Sequence, residues 1–387
     1  MAKINPWTPL TSADQASKIY KIEYPFDLIR FTTNLQEETL PTESQFQKVL
    51  KPEYCQFMDE KNQSPHLKLK TPFSVEPWTV PFYDQASTSF MCTLMESHEH
   101  CIYKWPKADI YVTAATLKLI GDSVLHPERQ FKLRAFEEQN HFILCAENED
   151  PENFKQSPLK RDAQTESLMR DLDSIMQQIT EEKMNTSICG ALFVLSTFRL
   201  GNESMSACVF GDVDMLTKDK AINIAQLKAC ERSGQLSFTD TDAVNECFEY
   251  IWPKSFWIGI NQILFIPRQE KSYRVKTFQK MPLESITKVY NRRNSRLADQ
   301  ATLCVAKVLF EIRSMLNSNK NEKDKNILVT YEGAKNQEDD CPIVLKFCDD
   351  KYSFWLLREN CYLKKIHDKK EEAARKYRQR HFKLYSI

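Results

Sequence analysis

Apolar residues recur along the chain with two different periods, which separate candidate helices from candidate strands. In Ala301–Leu316 they recur at three- and four-residue spacing, which predicts a helix with one buried stripe. Three β-type runs follow closely on one another: Ala191–Leu200, Ser204–Asp214 and Ala221–Ala229. The Gly-Asn pair at 201–202 fits a tight turn between the first two runs. This region therefore predicts a β-hairpin followed by a third strand.

Further elements are predicted on both sides of this region. A helix is expected over Thr165–Lys183, and short β-type runs occur at Ile22–Tyr24 and Leu28–Thr33. Two hairpins are predicted, one from Phe256–Pro267 with Ser272–Gln279 and one from Ile343–Phe347 with Tyr352–Leu357. Strands outnumber helices and do not alternate with them along the chain. This pattern predicts an α+β fold built on curved sheets rather than a doubly wound one.

Composition excludes several function classes. The 387 residues include 7 Gly, too sparse for a Walker loop or a dinucleotide-binding fingerprint, since each needs glycines within a few residues of one another. Apolar residues make up 42% of the chain, and no apolar run approaches the roughly 20 residues of a membrane span. The 12 Cys include no C-x-x-C pair, and residues 1–7 include no apolar signal core. We expect an intracellular protein of the nucleus or cytoplasm, without a membrane span.

The charge is balanced overall but concentrated at the C-terminus. Lys+Arg and Asp+Glu both number 53, yet 364–387 holds nine Lys/Arg against three Asp/Glu. This basic tail fits contact with RNA phosphates or an import signal. It equally fits a solvated terminal helix with Glu371 and Glu372 paired to Arg375 and Lys376.

The candidate chemistry lies in V-F-G-D-V-D-M-L at 209–216 and N-I-A-Q-L-K-A-C at 223–230. Residues two apart on a strand share a face, so Asp212 and Asp214 project together, as do Gln226 and Lys228. If the two strands are neighbours, these side chains converge on one patch. Carboxylates of such a patch hold Mg²⁺ or Mn²⁺ in nucleases, and a lysine positions or deprotonates the attacking water. The alternative for D-x-D at a strand end is a solvated turn.

The flanking sequence resembles the decapping exonuclease (DXO) family. The family pattern runs R-L-G, G-E-V-D and E-L-K, and this chain has F-R-L-G at 198–201, G-D-V-D at 211–214 and Q-L-K at 226–228. W-P-K-S-F-W-I-G-I at 252–260 and V-K-T-F at 275–278 continue the match. The resemblance covers residues from about 108 to 357, in the family's order and spacing.

The resemblance implies both a fold and an activity. The expected fold is a single α+β domain over residues 1–363, with two curved mixed sheets ringed by helices and the site in a deep pocket. Family members remove incomplete or non-standard caps, including NAD, from RNA 5′ ends. Many also degrade 5′-monophosphate RNA in the 5′→3′ direction with divalent metal, and some relatives bind a separate 5′→3′ exonuclease.

The metal ligands implied by the resemblance are only partly kept. The family has four acids; this chain keeps Asp214, has Asp212 for a glutamate, and has Gln226 and Gln177 at the other two positions. The Leu227 backbone would complete the set. Four negative charges thus become two, and an amide oxygen does not compensate for the dehydration of a divalent ion as a carboxylate does. We expect one Mg²⁺ or Mn²⁺ ion or none.

Substrate contacts implied by the resemblance also differ. The family's W-R-G segment corresponds to 112–114, which places Thr113 where the arginine would be, and Lys254 replaces a glutamine. Lys228, Lys254 and Arg199 remain as basic groups for a phosphate, with Lys228 also orienting the water. Two functions stay open: a decapping hydrolase with weakened catalysis, or an inactive pseudonuclease that binds RNA 5′ ends or a partner protein.

Two further groups have alternative interpretations. Trp252, Phe256 and Trp257 fit either base stacking or core packing, and core packing is the more common role for aromatics at such spacing. Cys341 and Cys348, at opposite ends of a candidate strand, are expected to be core thiols.

Overall fold

The computed structural model describes the following residues: 1–7, 20–23, 28–34, 42–43, 67–68, 108–138, 141–146, 188–213, 215–216, 221–228, 252–253, 255–268, 274–275, 279–318, 326–335 and 341–348. Their helices are α1 (Ala114–Leu125), α2 (Leu283–Arg293) and α3 (Leu297–Ser318). Their strands are β1 (Ala2–Ile4), β2 (Tyr20–Glu23), β3 (Leu28–Asn34), β4 (Thr42–Glu43), β5 (Leu67–Lys68), β6 (Ile110–Thr113), β7 (Phe131–Glu138), β8 (His141–Ala146), β9 (Ile188–Leu200), β10 (Glu203–Val213), β11 (Met215–Leu216), β12 (Ala221–Lys228), β13 (Gln262–Arg268), β14 (Arg274–Val275), β15 (Gln279–Pro282), β16 (Asn326–Tyr331) and β17 (Ile343–Cys348).

These strands form one large sheet and two smaller ones. The large sheet has 11 strands in the order β1-β17-β16-β7-β8-β6-β10-β9-β3-β4, with β2 also paired to β9. A 4-stranded sheet has the order β11-β12-β13-β15, and β14 pairs with β5. Both larger sheets are mixed, since β6 runs parallel to β8 and β10, and β12 runs parallel to β13. The α+β class is therefore confirmed, although the described strands divide into three sheets rather than two.

One face of the large sheet, here the inner face, packs against α1 and α3. Its apolar side chains occupy alternate positions, so that Val112 pairs with Val209, and Leu133 with Val329. The amphipathic stripe predicted for α3 is buried against them. Residues one position along each strand form the outer face, which includes Tyr111, Cys208 and Phe210.

Most strands predicted around the candidate chemistry are confirmed. The predicted hairpin corresponds to β9 and β10, joined by a turn at Gly201 with φ +61°, and the third strand corresponds to β12. One hairpin prediction was wrong in its pairing. The strand expected from Phe256 begins only at Gln262, and its antiparallel partner is β15.

Several sequence predictions lie outside the described residues: the helix at 165–183, the strand at 352–357 and the tail at 364–387. No helix in the described part of the chain is long and apolar enough to cross a membrane.

Candidate functional site

The end of β10 is fixed in the large sheet by both of its neighbours. Asp212 is level with Ala191 of β9 in an antiparallel register, and the preceding Phe210 is level with Thr113 of the parallel strand β6. Asp212 therefore occupies the outer-face register, in line with Phe210 and Cys208. Asp214 lies between β10 and β11, outside the described residues, as do Gln177 and Lys254.

Gly211 allows the segment before β13 to lie directly on the end of β10. A Cβ at this position would be 2.5 Å from the Cγ2 of Ile258 and 3.2 Å from the Cβ of Ala114, the first residue of α1. Any side chain there would displace the segment, because real Cβ atoms do not approach to 2.5 Å. Gly211 thus joins three pieces of the predicted motif: the acidic strand, the start of α1 and the tryptophan-rich segment.

Thr113 has a structural role at the same junction. It is fully buried, and its Oγ1 accepts a hydrogen bond from the Thr116 amide at 3.1 Å, which caps the N-terminus of α1. The two hydroxyls of Thr113 and Thr116 also lie 2.9 Å apart. The hydroxyl of Thr113 is therefore engaged within the fold, and its contact with a substrate stays a prediction.

The strand carrying Gln226 and Lys228 lies beside β10, in the second sheet. Cα atoms of β10 and β12 approach within 8 Å. The chain leaving β10 passes Asp214 and enters β11, whose Met215 pairs with Ile222 near the start of β12. The structure thus brings together the two segments that the sequence proposed as one patch.

Parallel pairing of β12 with β13 adds a basic position to this region. Gln226 is level with Ile266, Leu227 with Pro267, and Lys228 with Arg268. Arg268 is the last residue of β13 and lies beside Lys228. Two basic residues therefore occupy neighbouring positions at one end of the pair. Only the non-local register reveals this, since 40 positions separate them in the sequence.

Arg199 does not lie at this end of the hairpin. It is exposed on β9 and level with Ser204, which precedes Asp212 on β10 by eight positions. At about 3.3 Å per strand residue, the two levels are about 26 Å apart. The structure therefore does not bring Arg199 to the acidic end of β10 as the phosphate contact predicted from the sequence.

Two protonatable nucleophiles, Cys208 and Tyr111, lie on the described part of the outer face next to Asp212. Cys208 and Tyr111 are level with each other and fully buried. Burial raises the pKa of the Cys208 thiol. Burial, with a smaller effect of Cys208, raises the pKa of Tyr111 from 10.0 to about 12. Both groups are protonated at neutral pH, so any reaction here relies on an activated water or on groups beyond these two.

The aromatic cluster before β13 belongs to the core. Trp252 and Trp257 are each 1% exposed, and the Nε1 of Trp252 donates to the Oγ1 of Thr287 at 3.0 Å. Phe256 stacks on Trp252 with ring centroids 4.4 Å apart. The core interpretation of the tryptophans is confirmed. Cys341 and Cys348 are half-buried rather than fully in the core.

The candidate metal ligands are oxygen donors, the type that Mg²⁺ and Mn²⁺ prefer. Of the carboxylates, Asp212 lies on a described strand, while the amide of Gln226 and the carbonyl of Leu227 belong to β12. Within the described ranges, no group of three or more His, Cys, Asp or Glu could hold a metal ion. Oxygen donors of this kind suit a divalent ion, and the single ion expected from the sequence stays a prediction.

Solved structures share this fold, although no family model and no curated protein matches the sequence. Rai1 of S. pombe in complex with 3′-FADP is 12% identical, with a TM-score of 0.57 over 85% of this chain and 95% of that one. Rai1 of Candida albicans in complex with pU5-Mn²⁺ is 12% identical, with a TM-score of 0.57 over 88% and 92%. Dxo1 of K. lactis in complex with manganese is 10% identical, with a TM-score of 0.53 over 86% and 92%. The chain is thus similar in fold to the DXO family over most of its length.

Proposed function

We propose that this protein acts at the 5′ end of RNA as a decapping nuclease-like hydrolase whose catalysis is weakened. The observation that carries the proposal is the junction at the end of β10, where the strand bearing Gly211, Asp212 and Val213 lies beside the strand bearing Q-L-K. The fold shared with Rai1 and Dxo1 supports the proposal, and the similar structures hold 3′-FADP and pU5-Mn²⁺. The expected substrates are RNAs with incomplete caps, NAD caps or a 5′-monophosphate.

In this proposal the two aspartates share one divalent ion. Asp212 and Asp214 would hold Mg²⁺ or Mn²⁺, assisted by the Gln226 amide, the Leu227 carbonyl and the Gln177 amide. The ion, when bound, supplies Lewis-acid stabilisation next to the scissile phosphate. Lys228 orients the attacking water, and Lys254 with Lys228 attracts the phosphate. Arg268, level with Lys228, adds positive charge at the same end of β12.

Two amides in place of two carboxylates weaken this site. A divalent cation must lose hydration water to bind, and carboxylates compensate for that loss better than amides do. Lys228 and Arg268 also add positive charge where acids have become fewer. We therefore expect RNA binding to be retained better than hydrolysis.

The same substitutions support a second candidate function, that of an inactive pseudonuclease. Such a protein would bind RNA 5′ ends, or a partner such as a 5′→3′ exonuclease, without cleaving RNA. Its RNA affinity would not depend on divalent metal, whereas the activity of the hydrolase would disappear with a chelator.

One assay separates the two functions. The purified protein is incubated in Mn²⁺ with 5′-monophosphate RNA, NAD-capped RNA and RNA with an unmethylated cap, beside Asp212→Asn/Asp214→Asn. If the wild-type protein makes product and the variant does not, the protein is the hydrolase. Bound RNA without product identifies the pseudonuclease. The proposal would be overturned if the protein made no product and also showed no binding preference for any of the three 5′ ends.

A further inference from the structure

Lysines occupy the exposed outer face of the large sheet at its β1 edge. One row of outer-face residues crosses four strands, with Lys3 level with Val344, Val344 with Thr330, and Thr330 with Lys132. The next row contains Lys346, level with Leu328, which is level with Arg134. Lys3, Lys132 and Lys346 are hereafter called the lysine face.

The lysine face is open to solvent and positively charged. All three lysines are exposed, while Thr330 and Val344 between them are half-buried. Neither row contains a carboxylate. Among the described residues, none of the three lysines forms an ion pair. Ammonium groups that are neither paired nor buried attract polyanions. A row of such groups across several strands matches the length of an extended polyanion.

Arg134 adds a fixed positive charge below this surface. It is buried at 6% exposure, and its Nη1 donates to the Oδ1 of Asn326 at 2.6 Å. A guanidinium remains protonated in proteins.

The lysine face and Asp212 share one face and one edge of the same sheet. Cys208 of β10 is level with Tyr111 of β6, Tyr111 with Ile143 of β8, and Ile143 with Phe136 of β7. Phe136 and Arg134 are two positions apart on β7, so Arg134 lies on the same face as Cys208 and Asp212. The parallel strands β6, β8 and β10 end at one edge, and Lys132 lies just beyond the last β7–β8 pair, Leu133 with Ala146, at that edge. Six strand intervals separate β10 from β1, or about 29 Å at about 4.8 Å each.

We propose that the lysine face binds the phosphate backbone of a single-stranded RNA whose 5′ end lies at the Asp212 site. The inference rests on the proposed function and extends it from the RNA end to the RNA body. Lysines recognise phosphates as point charges and carry no base specificity. The contact is therefore indifferent to sequence, salt-dependent and available only to RNAs long enough to reach the lysine face along the edge at which β10 ends, because the outer-face residues one row in, Phe210, Thr113 and Arg134, are buried.

The test compares RNA affinities of two triple variants with equal charge change. Lys3→Gln/Lys132→Gln/Lys346→Gln removes the lysine face, and Lys288→Gln/Arg292→Gln/Arg293→Gln removes three exposed charges of α2. Binding of 5′-monophosphate oligo(U) of about 2 and about 20 nucleotides is measured without divalent metal, over a range of salt concentrations. Thermal unfolding verifies that both variants are folded, and the corresponding Lys→Arg variant tests for rescue.

For the long RNA, removal of the lysine face should lower the slope of log affinity against log salt by about 2. Affinity at about 0.1 M salt should fall on the order of 100-fold, while the α2 variant stays near wild type and the arginine variant binds well. The short RNA should bind equally to all four proteins.

Three outcomes would overturn the inference. They are long-RNA binding unchanged by the lysine substitutions, an equal loss in the α2 variant, and an equal loss for the short RNA. Two separate measurements test the proposed function: hydrolysis of the short RNA, and a binding preference for a 5′-phosphate over a 5′-hydroxyl. Failure of those two readouts with lysine-dependent binding retained would reject the proposed function alone. Loss of lysine dependence with those readouts intact would reject the inference alone.

Discussion

Gly211 and Ile258 approach so closely that a Cβ on the glycine would lie 2.5 Å from the Cγ2 of the isoleucine. Ile258 is 2% exposed and belongs to the main core. The contact explains why glycine occupies the position before Asp212. A larger residue would separate the acidic strand from the segment that leads into β13.

Gly211→Ala should therefore destabilise the protein by about 1–3 kcal/mol, the usual cost of overpacking a core. Urea denaturation measures the change in the free energy of unfolding. In an Ile258→Ala background, Gly211→Ala should cost less free energy of unfolding than it does in the wild type, because the obstructing Cγ2 is absent. Additive effects of the two substitutions would contradict the proposed contact. Gly121→Ala is the control for space, since a Cβ there would lie at ordinary contact distances, 3.6 Å from the Cζ2 of Trp257 and 3.9 Å from the Cβ of Ala301.

Thr113→Ala should cost about 1 kcal/mol of stability, because it removes the N-cap of α1. Thr113→Ser keeps the capping oxygen and should remain close to wild type in the same denaturation measurement. RNA affinity measured on both variants tests the predicted substrate contact. A stability of Thr113→Ala equal to that of wild type would show that the cap is not stabilising.

Stability should fall at alkaline pH because buried thiols resist ionisation. Burial raises the pKa of Cys304 from 9.0 to about 11, against a smaller lowering by its hydrogen bond with Ser123. The unfolded chain releases this proton first, so the stabilisation is complete below pH 9 and is lost as pH rises towards 11. The loss from this group should be about 1.4 kcal/mol per pH unit.

Urea denaturation in reducing buffer across that interval provides the test. Cys304→Ala should show a shallower decline than wild type. Val308→Ala, a buried α3 truncation without a titrating group, should lower stability while keeping the wild-type slope. Parallel declines in wild type and Cys304→Ala would contradict the assignment.

Regular periodicity made part of the fold predictable. The stripe of α3 and the alternation in β9, β10 and β12 gave their positions to within a few residues. Helix α1 was not predicted, because it is buried on most sides and lacks a polar face. The run from Phe256 was taken for a strand because short apolar runs do not distinguish strands from buried helical turns.

The site was predictable only as far as local rules extend. Alternation placed Asp212 with Asp214, and β10 does lie beside β12. Proximity of Arg268 to Lys228 depends on parallel pairing across a long connection, which no local pattern specifies. Arg199 lies in the same hairpin as Asp212 but at its opposite end, and the motif match that suggested Arg199 carries no information on that distance.

The central claim, that two amides weaken the metal site, is tested most directly by a variant in which both are replaced by acids. Mn²⁺-dependent hydrolysis of 5′-monophosphate RNA is compared between wild type and Gln177→Glu/Gln226→Glu, with Asp214→Asn added to each as the control. We predict a gain of about tenfold or more, equivalent to at least about 1.4 kcal/mol of transition-state stabilisation, that disappears with Asp214→Asn. An unchanged rate in the restored variant, or a gain that persists with Asp214→Asn, would contradict the account of a metal site weakened by two amides.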